Sequence, residues 1–148
     1  MNIAAVQFPV FNPYQKATVE IYVSGCKAAC KNCHNPDLQD FNFGKELNIE
    51  ELIKYLEDRK LFFDIISVTG GDLYYQDEIE AMHLCSTLKL CFPEKELWLF
   101  TGAEIKQLPN WYLKVFDWVK TGVYNENEKQ EGFPSSKNQK LNQRKKDY

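Results

Sequence analysis

Three cysteines within eight residues, Cys26, Cys30 and Cys33, carry the strongest chemical signal in this chain. Their spacing is C-x3-C-x2-C, directly after a stretch of strand character. Three thiolates from one loop can each bind one iron of a cubane cluster, whereas a complete protein-only site takes a fourth ligand. The two other cysteines, Cys85 and Cys91, stand far along the chain, so one metal position would stay open. An open position belongs to reactive metal sites and a closed one to structural sites. Other readings of the same residues stand beside this one. Zinc could take the three thiolates with His34 as fourth ligand, although the side chains of the adjacent Cys33 and His34 tend to diverge in an extended loop. A redox pair at Cys30 and Cys33 would leave Cys26 without a role. Buried thiols clustered by chance belong on core faces, not in a loop led by Gly25. An odd total of five cysteines argues against a disulfide scaffold.

The elements that must hold this loop follow from patterning. Thr18 to Ser24 is rich in β-branched and aromatic residues and predicts a strand that Gly25 breaks. Asn48 is the expected N-cap of a helix from Ile49 to about Arg59, with Glu50 and Glu51 in its first turn. Phe62 to Thr69 predicts a buried parallel strand ending at Gly70-Gly71-Asp72. A second helix is expected from about Asp77 to Leu90, with Ile79, Met82 and Cys85 or Ser86 facing inward and Pro93 stopping it. Glu96 to Thr101 predicts a third strand, a short helix is expected around Ile105, and Val115 to Lys120 predicts a fourth strand. The first fifteen residues read only weakly as a strand, because Pro9 and Pro13 interrupt them. Strands alternating with helices predict a parallel α/β sheet with right-handed crossovers.

Composition narrows the class. With 148 residues, 44% of them hydrophobic, one domain with a sizeable core is expected. A net charge of −3 does not fit a nucleic-acid binder. No apolar run approaches the roughly 18 residues needed to cross a bilayer, and Met1 to Val10 lacks the pattern of a secretory signal. The expectation is a cytoplasmic protein without membrane contact. The division expected is 1–134 as the main domain and 135–148 as a polar, basic C-terminal segment, most simply a solvated tail. His83 is expected at the surface of its helix, and Trp98, Phe100, Trp111, Phe116 and Trp118 mostly in the core.

The cysteine signature resembles that of the radical S-adenosylmethionine superfamily. In that superfamily the methionyl amine and carboxylate bind the fourth iron, and the reduced cluster cleaves the sulfonium to a 5′-deoxyadenosyl radical. Its second hallmark is a Gly-Gly-Glu-like turn after the next strand. Thr69-Gly70-Gly71-Asp72 occupies that place. Paired glycines permit close backbone approach to a ligand, and a carboxylate can receive a cationic amine. Gly25 to Asn35, the Gly-Gly-Asp turn, Leu97 to Gly102 and Ser135 to Gln139 occur in order over almost the whole chain. Together they resemble the anaerobic ribonucleoside-triphosphate reductase activating protein family, and Asn32 matches the small residue that this family places before the third cysteine.

The resemblance implies an incomplete parallel (β/α) barrel of the short radical S-adenosylmethionine type. It implies a 4Fe-4S cluster on Cys26, Cys30 and Cys33, with S-adenosylmethionine held by Gly70, Gly71 and Asp72 at its methionyl end. Asn32, Cys33 and His34 would meet the adenosyl end, and one of the aromatics would border the adenine. Since Gly71 would serve close approach to the cofactor, a side chain there is expected to project toward it. The implied activity is formation of a glycyl radical on the large subunit of an anaerobic ribonucleotide reductase. The implied electron source is a low-potential donor such as flavodoxin. An enzyme acting on another glycyl-radical protein or a small molecule is one alternative, and a zinc-stabilised binding module is the other. Two departures stand out. Asn12-Pro13-Tyr14-Gln15 lacks the family's glycine-rich stretch, and Thr121-Gly122 replaces an acidic Asp-Gly pair.

Overall fold

A computed structural model describes residues 1–148 as one seven-stranded sheet with three helices. The strands are β1 (Asn2–Phe11), β2 (Ala17–Val23), β3 (Lys45–Glu46), β4 (Ile65–Gly70), β5 (Glu96–Phe100), β6 (Trp118–Thr121) and β7 (Lys140–Gln143). The helices are α1 (Ile49–Glu57), α2 (Glu78–Cys91) and α3 (Asn110–Val115). Sheet order is β3-β1-β2-β4-β5-β6-β7. The central β2, β4, β5 and β6 run parallel, and the flanking β1, β3 and β7 pair antiparallel. The α/β expectation holds. The edge strands β3 and β7 do not pair with each other, so hydrogen bonds leave the sheet open.

Alternation along the parallel strands divides the sheet into two faces. One face presents Val19, Ile21 and Val23, Ile66 and Val68, Leu97 and Leu99, and Val119 to the helices. These meet Leu52 and Leu56 of α1, Ala81, Leu84, Cys85 and Leu88 of α2, and Tyr112 of α3 in one continuous core. The other face carries Glu20, Ser67, Trp98, Phe100, Trp118 and Lys120, with Tyr14 against Trp98 and Phe133 against Phe100. Asn48 caps α1 as expected, its side chain accepting from Glu51 N at 3.1 Å. No helix is long and apolar enough to cross a membrane.

Several elements differ from expectation. The inward stripe of α2 is Ala81, Leu84, Cys85 and Leu88, while Ile79 and Met82 are exposed. Apolar residues run almost all round this helix, so spacing alone does not select a face, and small Ala81 lets it approach the sheet closely. Phe62 lies in a short 3-10 turn, and β4 starts only at Ile65. Val115 ends α3, a helix the sequence reading missed, and β6 begins at Trp118. Strand β1 is long despite Pro9, because the register shifts between Gln7 and Val10 and a bulge tolerates the missing donor.

The solvated-tail expectation fails. Residues 140–143 form β7 on β6, and Asn142 is buried beneath it. Its Nδ2 donates to Val119 O and to Thr121 Oγ1, both at 3.1 Å. Further on, Arg144 pairs with Asp117, and the Tyr148 hydroxyl donates to Phe116 O at 2.7 Å. Asn142→Ala leaves buried acceptors unpaired, at a cost of roughly 1–3 kcal/mol. A lowered urea midpoint is the expected result, and a midpoint equal to the unaltered protein's restores the solvated-tail reading.

Candidate functional site

All four parallel strands end at one cavity of about 350 Å³. After β2 comes Ser24-Gly25-Cys26, after β4 Gly71-Asp72, after β5 Thr101-Gly102, and after β6 Gly122-Val123. Carboxyl ends of parallel strands are where α/β folds place their sites, because loops converge there above a rigid sheet. Cys26, Cys30 and Cys33 line this cavity as half-buried free thiols, facing Gly70, Gly71 and Asp72. Cys85 is buried in the core and Cys91 is exposed.

Backbone hydrogen bonds stitch the cysteine loop to the Gly-Gly-Asp turn. Gly71 N donates to Val23 O at 2.7 Å, Asp72 N to Gly25 O at 2.9 Å, and Gly25 N to Leu38 O at 2.7 Å. The Gln76 amide adds donations to Ser24 O at 2.9 Å and Gly25 O at 3.1 Å. Asp72 is almost fully buried, and its carboxylate is committed. Oδ2 accepts from Gly102 N at 2.7 Å and Thr101 Oγ1 at 3.0 Å, while Oδ1 accepts from Tyr74 N at 3.0 Å. Burial raises the Asp72 carboxyl above its ordinary value, against the lowering by these bonds and by Lys120. Burial likewise raises the Cys26 thiol, opposed by the Ala28 N–H and reinforced by Asp72, Cys30 and Cys33. Binding a metal there would therefore displace a firmly held proton.

The donor set fits a cubane. No three His, Cys, Asp or Glu side chains converge on a point that a single ion would occupy. A cubane gives each thiolate a different iron, so its ligands stand around it. His34, the proposed fourth zinc ligand, is exposed, and its ring lies 4.9 Å from that of Tyr124.

Comparison with known proteins agrees with this geometry. The profile of a family described as "4Fe-4S single cluster domain" matches residues 17–142. An anaerobic ribonucleoside-triphosphate reductase-activating protein of Enterobacteria phage T4 is 35% identical over 116 residues, 74% of this chain and 72% of that protein. The chain belongs to the anaerobic ribonucleoside-triphosphate reductase-activating protein family. The Escherichia coli protein of the same name is 27% identical over 103 residues, 67% of each chain. A pyruvate formate-lyase-activating enzyme of Clostridium pasteurianum is 39% identical over 75 residues, 48% of this chain and 30% of that one.

In this member of the reductase-activating family the cavity gathers most residues singled out in the sequence. Cys26, Cys30, Cys33, His34, Gly70, Gly71 and Asp72 all line it. Asn32, exposed and with φ 58°, instead lines a neighbouring pocket of about 220 Å³ with Tyr124 and Asn125. Of the five aromatics singled out in the sequence, Phe100 lines the cavity, beside Tyr124 and Phe133. Sequence reading missed Gln76, Lys120 and Tyr124, which belong to no motif and acquire a role only from their position. Ser135 and Gln139 also line the wall, with Gln139 Nε2 donating to Gly122 O at 3.0 Å.

The expectation for Gly71 needs correction. A Cβ there would point at backbone, 2.5 Å from Gly25 O and 2.6 Å from Leu38 O, rather than toward a ligand. Glycine is required so that the turn can touch the cysteine loop. Gly71→Val is expected to lose the loop's seating and its iron together, with overpacking on the order of 3 kcal/mol. Gly102→Ala, whose Cβ would meet the movable Val123 side chain at 3.1 Å, is the control that keeps both. Iron content and thermal stability measured together check this, and a fully iron-loaded Gly71→Val protein contradicts it.

Proposed function

We propose that this chain is a radical S-adenosylmethionine activase that forms a glycyl radical on the large subunit of an anaerobic ribonucleotide reductase. One observation carries the reading. Three free thiols with no fourth cysteine face a Gly-Gly-Asp turn in a cavity at the carboxyl ends of four parallel strands. Cys26, Cys30 and Cys33 would hold a 4Fe-4S cluster, which when bound supplies the electron that cleaves S-adenosylmethionine.

The chain's own residues supply position and shelter. Gly70 and Gly71, braced by Asp72, would offer backbone to the methionyl end. Asn32, Cys33 and His34 would border the adenosyl end, with Phe100 as an apolar surface beside it. The sheet reads as a short, opened version of a (β/α) barrel, with residues 1–134 and the segment 135–148 both contributing to the cavity wall. An open-sided cavity suits a macromolecular substrate whose own surface completes the enclosure. The electron would come from a low-potential protein such as flavodoxin, in the cytoplasm, with no part for membrane or nucleic acid.

The similarity to a pyruvate formate-lyase-activating enzyme favours one second reading, action on a different glycyl-radical protein. Anaerobic reconstitution with iron and sulfide, followed by electron paramagnetic resonance with each candidate substrate, separates the two. Alanine at Cys26, Cys30 or Cys33 is expected to abolish cluster assembly and glycyl-radical yield. Alanine at Cys91, exposed and away from the cavity, is expected to leave iron content unchanged. A full cubane in Cys26→Ala, or zinc in place of iron in the unaltered protein, overturns the proposal.

A further inference from the structure

Lys120 lies on β6, opposite Phe100 of β5 and Leu141 of β7, on the face of the sheet away from the helices. It lines the cavity with Cys30 and Asp72. None of the chain's five ion pairs includes it. Its Nζ is 5.3 Å from the centre of the Phe100 ring, a contact that leaves most of the ammonium's charge uncompensated. Burial pulls its pKa below 10.5, and the charges of Asp72 and Cys30 pull it back up. Asp72 already accepts three hydrogen bonds from Thr101, Gly102 and Tyr74, and it is not within ion-pair distance of Lys120. Lys120 is half-buried, and a cation partly withdrawn from water without a partner favours an anionic group in the space before it. Besides Asp72, the anionic groups around this cavity are the thiolates that metal binding would create, with Cys30 the one that already influences Lys120.

We propose that Lys120 sets the redox poise of the cavity, its ammonium favouring the electron that a thiolate-bound cluster accepts there. The inference rests on the reading that Cys26, Cys30 and Cys33 hold a cubane. Reduction adds one electron from an external donor and breaks no bond. The cube with its three thiolates passes from one net negative charge to two. A positive charge in the half-buried wall stabilises the more negative state, and local charge is among the levers that set cluster potentials. Lys120 therefore makes the cluster easier to reduce, acting through space and without ligating it.

The test is a redox titration of the reconstituted protein, followed by electron paramagnetic resonance without S-adenosylmethionine. Lys120→Met is expected to lower the equilibrium constant for reduction about tenfold, a midpoint about 59 mV more negative for one electron. Lys120→Gln should shift the same way, and Lys120→Arg should stay with the unaltered protein. An unchanged midpoint in both neutral variants overturns the inference. That holds also where they bind S-adenosylmethionine more weakly, since the ammonium would then serve the cofactor's carboxylate. Failure of both neutral variants to hold iron, while Lys120→Arg holds it, overturns it as well by making the role structural. An unaltered protein that assembles no cubane is a different result and defeats the underlying reading.

Discussion

Where Gly71 meets the cysteine loop, two stretches of main chain lie closer than any side chain would permit. Gly71 N reaches Val23 O, Asp72 N reaches Gly25 O, and Gly25 N reaches Leu38 O, so three segments share one seam. Each of these groups is partly or wholly withdrawn from water and must find a partner within the protein. The seam therefore supplies both the geometry of the site and much of the satisfaction of its backbone. Cys26 follows Gly25 directly, and buried Leu38 anchors the returning side of the same loop. The glycine at 71 serves the fold first, and whatever occupies the cavity benefits from that.

Asp72 extends the seam sideways. By accepting from Thr101, Gly102 and Tyr74 it ties the end of β4 to the end of β5 and starts the short turn that follows. Burying a carboxylate is costly, and three donors aimed at it offset much of that cost. Its carboxyl sits under the cavity, opposite Lys120 on the next strand but one, where burial raises its pKa and Lys120 lowers it. The cavity thus holds a buried carboxyl and a half-buried ammonium that make no ion pair with each other.

How much of this was legible in the sequence depends on the range of the interaction. The β2 strand, the α1 cap at Asn48 and the Gly-Gly-Asp turn are local patterns, and all three stand where they were expected. The cysteine spacing is likewise local, and its three residues line the cavity. Long-range relations were not readable. The inward face of α2 is the one that packs Ala81, Leu84, Cys85 and Leu88 into the core, which the scattered apolar residues of the helix do not advertise. The donations by Gln76 to Ser24 O and Gly25 O depend on a loop about fifty residues away. Charge density in Lys137 to Lys146 suggested solvent, yet Asn142 and Gln139 in the same stretch are buried, because polar side chains can satisfy buried backbone as well as water can.

That last point explains how the far wall is held without a carboxylate at the end of β6. Thr121-Gly122 offers no carboxylate to organise the loop beyond it, and Gly122 stands at φ 93° with its carbonyl turned toward the C-terminal segment. Gln139 donates to that carbonyl, and Asn138 donates to Val123 O at 2.8 Å. Ser136 closes the arrangement by accepting from Asn125 N at 3.2 Å, while its own N–H donates to Gln139 Oε1. Neutral amides from the segment leading into β7 thus hold this loop. Thr121 and the amides behind it fix the wall in place on one face of β6, while Lys120 on the other face is left to line the cavity.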